Sequence, residues 1–434
     1  MIILFALLVS PVNFSRAEAA SPELYELPNG FRIVYDRMEG SGVVSFGIWT
    51  AAGSIHEKDE QAGIAHLLEH MLFKGSKNYP PGEAERIIES LGGRMNGATS
   101  FEYTYYYLSI PAEHFEPAFR VLSDMVINPL LCPDEFASER MVVLREVDQR
   151  EDDPVQRSAR MFYQAAYSGH YYGRPIIGFR DTIDSITIRD LARFHESNYA
   201  PGNMMLVAAG DVSRRQVLRL ASEYFGGMEP GKKPSPVLPA AEHPAGAEAV
   251  EYADIKSAYL WMGRPGPGIS VENIDEAAAL SLGMNILGRG RASRLYRTLR
   301  EDKNIVNSVS AGFSFLPRGG PVYIRAEFDP GKEERVLAEL TGEITAFVEE
   351  GPGAEEIERA RILSMTDIIF GFEASAGRMR TYGNYAAYGR MEFFTEYPDA
   401  LQRQKPEDVA AAVAKYLLPE EFITVKLLPL PEEG

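Results

Sequence analysis

Cysteine is nearly missing from this chain. Cys132 is the only one in 434 residues, so an intrachain disulfide framework is excluded, and the ordinary reading of a lone cysteine is a small buried apolar residue. Positive charge is short as well: 44 Lys and Arg stand against 62 Asp and Glu, and the net charge of -18 argues against nonspecific nucleic-acid binding. A solvated acidic surface accounts for that balance. Long apolar runs are also lacking. Ile2 to Val9 is well short of the roughly 20 residues of a transmembrane helix, and no other stretch comes closer. Histidine is scarce, with seven in all.

What is present suffices for large cores: 45% of the residues are hydrophobic, and a chain of this length is expected to divide into at least two domains, each able to bury a core of its own. The apolar start followed by Ala17-Glu18-Ala19 reads as a signal peptide spanning residues 1–19, although its first positive residue is only Arg16. An exported protein, periplasmic or secreted, is the expectation.

Two of the seven histidines lie in Gly63 to Lys74, GIAHLLEHMLFK. At roughly 100° per residue, Ile64, Leu67, Leu68, Met71 and Leu72 form one stripe of a helix, with His66, Glu69 and His70 opposite. Imidazoles four residues apart can point at one ion. Zinc suits that pair, and a catalytic zinc takes three protein ligands and a water, so a third ligand is needed from elsewhere. Glu69 shares the face and is placed to act as general base toward that water. The order H-x-x-E-H is the inverted zinc-peptidase motif. An ordinary amphipathic helix carrying two histidines is the plainer alternative. His56, His114, His170, His195 and His243 have no partner at ligand spacing and read as surface or structural residues.

A second helix is predicted over Pro133 to Gln149, with Pro at its first position and Glu139 and Glu146 two turns apart on one face. Here the chain resembles the pitrilysin and mitochondrial-processing-peptidase family of zinc metallopeptidases, in its small bacterial form. That family pairs H-x-x-E-H with a glutamate about 76 residues beyond the second histidine and another seven residues before it; Glu146 and Glu139 stand at those positions. The resemblance implies His66, His70 and Glu146 as ligands of one Zn2+ per chain, Glu69 as general base and Glu139 as a supporting carboxylate. Cobalt or manganese would suit related ligand sets.

The element order repeats. A Pro/Gly/Ala-rich linker, 229–248, separates a domain over 20–228 from a degenerate copy over 249–434. Aligning His66 with Leu280 puts Gly283 and Met284 in place of Glu69 and His70, and aligning the later helices separately, Glu135 on Glu356, puts Asp367 in place of Glu146, so the second copy has lost its metal. The predicted class is α+β: two homologous domains, each a mostly antiparallel sheet with helices packed on it. The resemblance implies that they face each other as a clamshell around a peptide-sized chamber. It also implies that substrate adds as a strand to the segment containing Asn96, Ala98 and Thr99, and that Arg300 reaches toward it from the second half. The family tyrosine seven residues beyond that arginine is here Asn307, and Asn304 replaces a glycine.

The implied activity is hydrolysis of peptide bonds in peptides or unfolded segments. Alternatives are the zinc-carrying subunit of a two-chain peptidase, as homodimer or as heterodimer with a motif-lacking homologue, and a non-catalytic assembly subunit. An intact Glu69 speaks against the last, because a purely structural site has no use for a base.

Overall fold

A computed structural model of the chain describes residues 22–231 and 246–431. The predicted signal peptide and most of the predicted linker lie outside the described residues. Among the described residues no helix is long and apolar enough to cross a membrane.

The first half runs β1 (Glu23–Glu26), β2 (Arg32–Arg37), β3 (Val43–Thr50), α1 (Ile64–Leu72), α2 (Glu83–Ser90), β4 (Arg94–Thr99), β5 (Thr104–Pro111) and α3 (Phe115–Ile127). It continues with α4 (Pro133–Asp152), α5 (Pro154–Ala166), α6 (Arg180–Ser185), α7 (Ile188–Asn198), β6 (Met204–Gly210) and α8 (Arg214–Phe225). The second half holds β7 (Glu248–Ala253), β8 (Ala258–Pro265), α9 (Ile274–Gly288), β9 (Ser308–Phe313), β10 (Pro321–Phe328) and α10 (Glu333–Glu350). Its remaining elements are α11 (Ala354–Gly371), α12 (Ser375–Tyr388), α13 (Met391–Arg403), α14 (Pro406–Tyr416) and β11 (Ile423–Pro429). Strand β7 thus begins at Glu248, inside the segment expected to be linker.

The strands form two sheets, ordered β1-β2-β6-β3-β5-β4 and β7-β11-β8-β10-β9. Apart from the extra edge strand β1, the orders correspond strand for strand, which is the predicted repeat in three dimensions. Each sheet has one parallel pair, β2 with β6 and β7 with β11, and is otherwise antiparallel. The last strand of the first half is an inner one, and its continuous apolar run MMLVAAG is buried throughout, as a strand covered on both faces requires.

One face of each sheet packs on helices of its own half. Phe46, Leu68, Phe119 and Leu206 belong to the first of these cores, and Leu280, Ile324, Leu340 and Val413 to the second. In the second, the face of α9 that replaces the histidines is apolar and sealed: Leu280 and Met284 are buried, and a Cβ on Gly283 would lie 2.3 Å from Val413 of α14. Asp367, aligned with Glu146, pairs instead with Arg289.

The opposite faces are covered by exchanged helices. Helix α12 of the second half lies on β3 and β6, with Met379, Tyr382 and Ala386 packed among Trp49, Tyr105 and Val207. Helix α5 of the first half lies on β8 and β11, with Met161 and Phe162 against Trp261 and Val425. The chain's two tryptophans occupy the corresponding strands β3 and β8, and each sits beneath the other half's helix. Trp49 Nε1 donates to Asn384 of α12 at 3.4 Å, and Trp261 Nε1 donates to Ser158 of α5 at 3.1 Å. Each half therefore buries the core of its own that was expected, and in addition covers part of the other half's sheet with one helix.

Gly383 sets the closeness of this contact. A Cβ there would fall 2.2 Å from the Trp49 ring, so only glycine lets α12 settle on the sheet. Gly383→Val is expected to destabilise the chain by about 3 kcal/mol or more through overpacking, read from the urea midpoint. A midpoint equal to the parent's would show that α12 does not seat as described.

Candidate metal centre and active site

Helix α1 carries the site because its two faces differ so sharply. Ile64, Leu67, Leu68, Met71 and Leu72 are all 0% exposed in the core, which anchors the helix and leaves His66, Glu69 and His70 on the side toward β4 and α4. Its N-terminus is capped from a distance: the buried Glu57 carboxylate accepts the Gly63 and Ala65 N–H groups, both at 2.9 Å. Helix α4, begun by Pro133, crosses α1 and brings Glu139 and Glu146 to it.

Three ligand atoms converge. Glu146 Oε2 lies 3.8 Å from His66 Nε2 and 3.7 Å from His70 Nε2, and the group fits within 4.8 Å. The second nitrogen of His70, Nδ1, is 2.9 Å from Glu139 Oε1, and Lys74 Nζ is 2.9 Å from Glu139 Oε2. With Nδ1–H donated to that carboxylate, the tautomer leaves a lone pair on His70 Nε2, the arrangement that orients a metal-binding imidazole. The Nδ1 atom of His66 is buried and without a hydrogen bond, and in the tautomer with its proton there the Nε2 lone pair and the Glu146 oxygen are two acceptors facing each other. Acceptors so placed, with no protein donor between them, fit a cation.

Electrostatics agree with that fit. Burial, then the neighbouring His70, lowers His66 to about 4, so it is neutral at physiological pH. Burial opposes charge on His70 too, but the Glu139 hydrogen bond and the carboxylates of Glu69 and Glu146 outweigh it and raise its pKa. A metal at His70 Nε2 therefore competes with a proton there. Apparent metal affinity is expected to fall about tenfold per pH unit on the acid side of that titration. Metal titrations repeated across the acid range would measure this, and an affinity independent of pH there would contradict His70 as a ligand.

Glu69 is buried, which raises its pKa, while the hydrogen bond from Thr99 Oγ1 to Oε2 at 2.6 Å opposes the shift. Thr99 thereby fixes one oxygen and leaves Oε1 for chemistry. On β4 the side chains alternate, so Gly97 and Thr99 face Glu69. A Cβ on Gly97 would lie 3.0 Å from Glu69 Oε1 and from Phe73, so glycine keeps that space open. Asn96 and Ala98 fall on the other face; Asn96 Oδ1 accepts the Gly97 N–H, and Ala98 packs toward the Trp49 cluster. Any contribution those two make to a paired strand comes from the backbone of β4, an edge strand.

The second-half candidates are not brought to this centre. Arg300, in a π-helical turn over Tyr296–Asp302, bonds Asn304, while Asn307 donates to Asp329 at 3.4 Å. Asn304 holds φ +47°, the left-handed conformation that asparagine tolerates best among non-glycine residues, so it can stand where the resemblance implies a glycine.

A family model described as "Insulinase (Peptidase family M16)" matches residues 32–179, and one described as "Peptidase M16 inactive domain" matches 185–363. A Mycobacterium leprae protein named an uncharacterized zinc protease is 30% identical over 373 residues, 84% of this chain and 83% of that protein. The chain belongs to peptidase family M16. Among solved structures, a protease from Helicobacter pylori matches this M16 chain with TM-score 0.88 and 26% identity, covering 94% of this chain and 99% of that one. The periplasmic protease PqqL from Escherichia coli shares the fold, with TM-score 0.75 and 18% identity over 94% of this chain but only 48% of its own. The inactive-domain match agrees with the sealed, apolar α9 face of the second half.

Three residues around the centre are not singled out by the sequence. Lys74 stands one turn beyond His70, and Arg150 one turn beyond Glu146, where it donates to Oε1 at 2.8 Å. Both spacings were visible, but a charged residue one turn from a ligand is also the usual solvated face. Gly97 carried no signal short of its contact with Glu69. Glu139→Gln, which weakens the hold on His70, is expected to lower metal affinity about 10–100-fold in a competition titration with an indicator chelator. Parent-like affinity would remove Glu139 from a supporting role.

Proposed function

We propose that this chain is a zinc-dependent endopeptidase, acting on peptides or unfolded segments, with His66, His70 and Glu146 holding the ion and Glu69 as general base. The observation that carries the reading is the convergence of two Nε2 atoms and one carboxylate oxygen beside a buried glutamate held by Thr99. Zinc, when bound, supplies Lewis acidity that polarises the scissile carbonyl and acidifies water. Glu69 Oε1 takes a proton from the attacking water and returns it to the leaving amine, and burial favours its holding that proton in between. The backbone of edge strand β4 binds substrate as an added strand, which holds peptides with little regard for sequence.

A two-chain form of the same reading draws support from Arg300 and Asn307. Their side chains bond Asn304 and Asp329 and not the centre of their own chain, which favours a role at the centre of a second copy or of a motif-lacking homologue's partner. The signal-like start and the likeness to a periplasmic protease support export.

The test is cleavage of a quenched fluorescent peptide library by the purified chain, with zinc content determined. Turnover that disappears on chelation and returns with zinc is expected. Full zinc without turnover would overturn self-sufficiency and leave the partner-requiring form.

A further inference from the structure

A cavity of ≈ 610 Å³ opens beside the metal centre, between the C-terminal turns of α4, helix α5 and residues 171–180. It is joined to the centre at two points. Arg150 lines it while donating to the ligand Glu146, and Phe101 lines it just beyond the end of β4, where a peptide paired with that strand would continue.

Its charge is opposite to that of the chain. Arg150, Arg160, Arg174 and Arg180 line it against only Asp148 and Glu151, in a protein of net charge -18. These arginines differ in what they have left to offer. Arg160 is engaged by Glu151 and Gln164, and Arg174 by Asp59 and the Ser54 carbonyl. Arg180 has a single exposed ion pair with Asp148. Arg150 uses Nε and Nη2 on Glu146 Oε1, while its Nη1 has no hydrogen bond among the described residues. A guanidinium presents two usable edges, so Arg150 can hold the metal ligand with one and a second carboxylate with the other. Between the arginines the walls are apolar and aromatic, with Phe101, Tyr163 and Phe179 able to cover an aliphatic stem.

We propose that this cavity is a specificity subsite for a carboxylate of the substrate peptide, an acidic side chain or the chain terminus within a residue or two of the scissile bond, gripped by Arg150 and Arg180. It rests on the peptidase reading and adds a substrate class to it. The acidic surface as a whole would favour basic peptides, and the subsite reverses that preference locally.

Fluorescence anisotropy with the full-length, zinc-loaded Glu69→Gln protein reads this preference without cleavage. The probes are labelled ten-residue peptides, C-terminally amidated, with Glu, Gln or Arg swept through each position, and the Gln series repeated with a free terminal carboxylate. At one position Glu is expected to bind about tenfold more tightly than Gln, the size of a charge-assisted hydrogen bond. Arg150→Gln and Arg180→Gln should bring that ratio toward one, with zinc content checked in each; Arg180 does not touch a ligand, so its variant keeps the test sound if Arg150→Gln loses metal. Preference only for the free terminus assigns the subsite to chain ends and supports it. Peptide binding with no carboxylate preference, or a preference unchanged in Arg180→Gln and in zinc-loaded Arg150→Gln, overturns the subsite alone. No binding of any peptide overturns the peptidase reading and the subsite with it.

Discussion

Glu69→Gln is expected to lower peptide cleavage about 10²–10⁴-fold while leaving zinc content and the unfolding midpoint at parental values. The amide keeps the shape of the carboxylate and can still meet the Thr99 hydroxyl that now bonds Oε2. It cannot accept a proton. Glu69 bonds Thr99 and is not one of the three converging side chains, so the His66/His70/Glu146 group stays assembled. Comparing kcat, KM and metal content in the two proteins separates the base from the site that surrounds it. A Glu69→Gln enzyme as active as the parent would end the assignment, and a variant stripped of zinc would recast Glu69 as part of the metal site.

The second large effect is on the metal itself. Glu146→Ala or His70→Ala removes one of three convergent ligand atoms, and each is expected to lose stoichiometric zinc and all measurable turnover. The fold should persist, because α1 is held by its apolar stripe in the core and by Glu57 at its N-terminus, neither of which involves the ion. Glu146→Ala also frees Arg150, which binds Oε1 of that residue, so the loss includes the group that holds the ligand. Zinc determination after dialysis, alongside circular dichroism, checks both statements. Parental zinc in Glu146→Ala would exclude it as a ligand, and loss of the far-ultraviolet signal would show that the metal holds the fold together.

The pattern Ile64/Leu67/Leu68/Met71/Leu72 against His66/Glu69/His70 could be read directly because a helix turns its own sequence into two faces. Glu139 and Glu146 were found by spacing joined to family likeness. The repeat emerged because both halves place strands and helices in the same order, and the sheets β2-β6-β3-β5-β4 and β7-β11-β8-β10-β9 bear this out. Helix α12 was not foreseen: its glycines and tyrosines show little segregation of faces, and its partner surface lies in the other half. Thr99 was expected to meet substrate, yet its hydroxyl is turned to Glu69, a consequence of β4 facing α1 that period-two alternation alone cannot assign to a side.

The sequence alone determined which residues can bind a metal, which can act as base, that a second copy has lost both, and that each copy builds a mostly antiparallel sheet under helices. These follow from residue chemistry and from periodicities of a few residues. Only the tertiary structure decided that α5 and α12 are exchanged between halves, that Lys74 and Glu139 brace His70, that Arg150 joins the metal centre to a basic cavity, and that Arg300 and Asn307 stand apart from it. Such contacts join residues as far apart as Trp49 and Asn384, 335 positions along the chain. No local pattern names a partner at that distance; packing selects it when both apolar faces of each sheet must be covered.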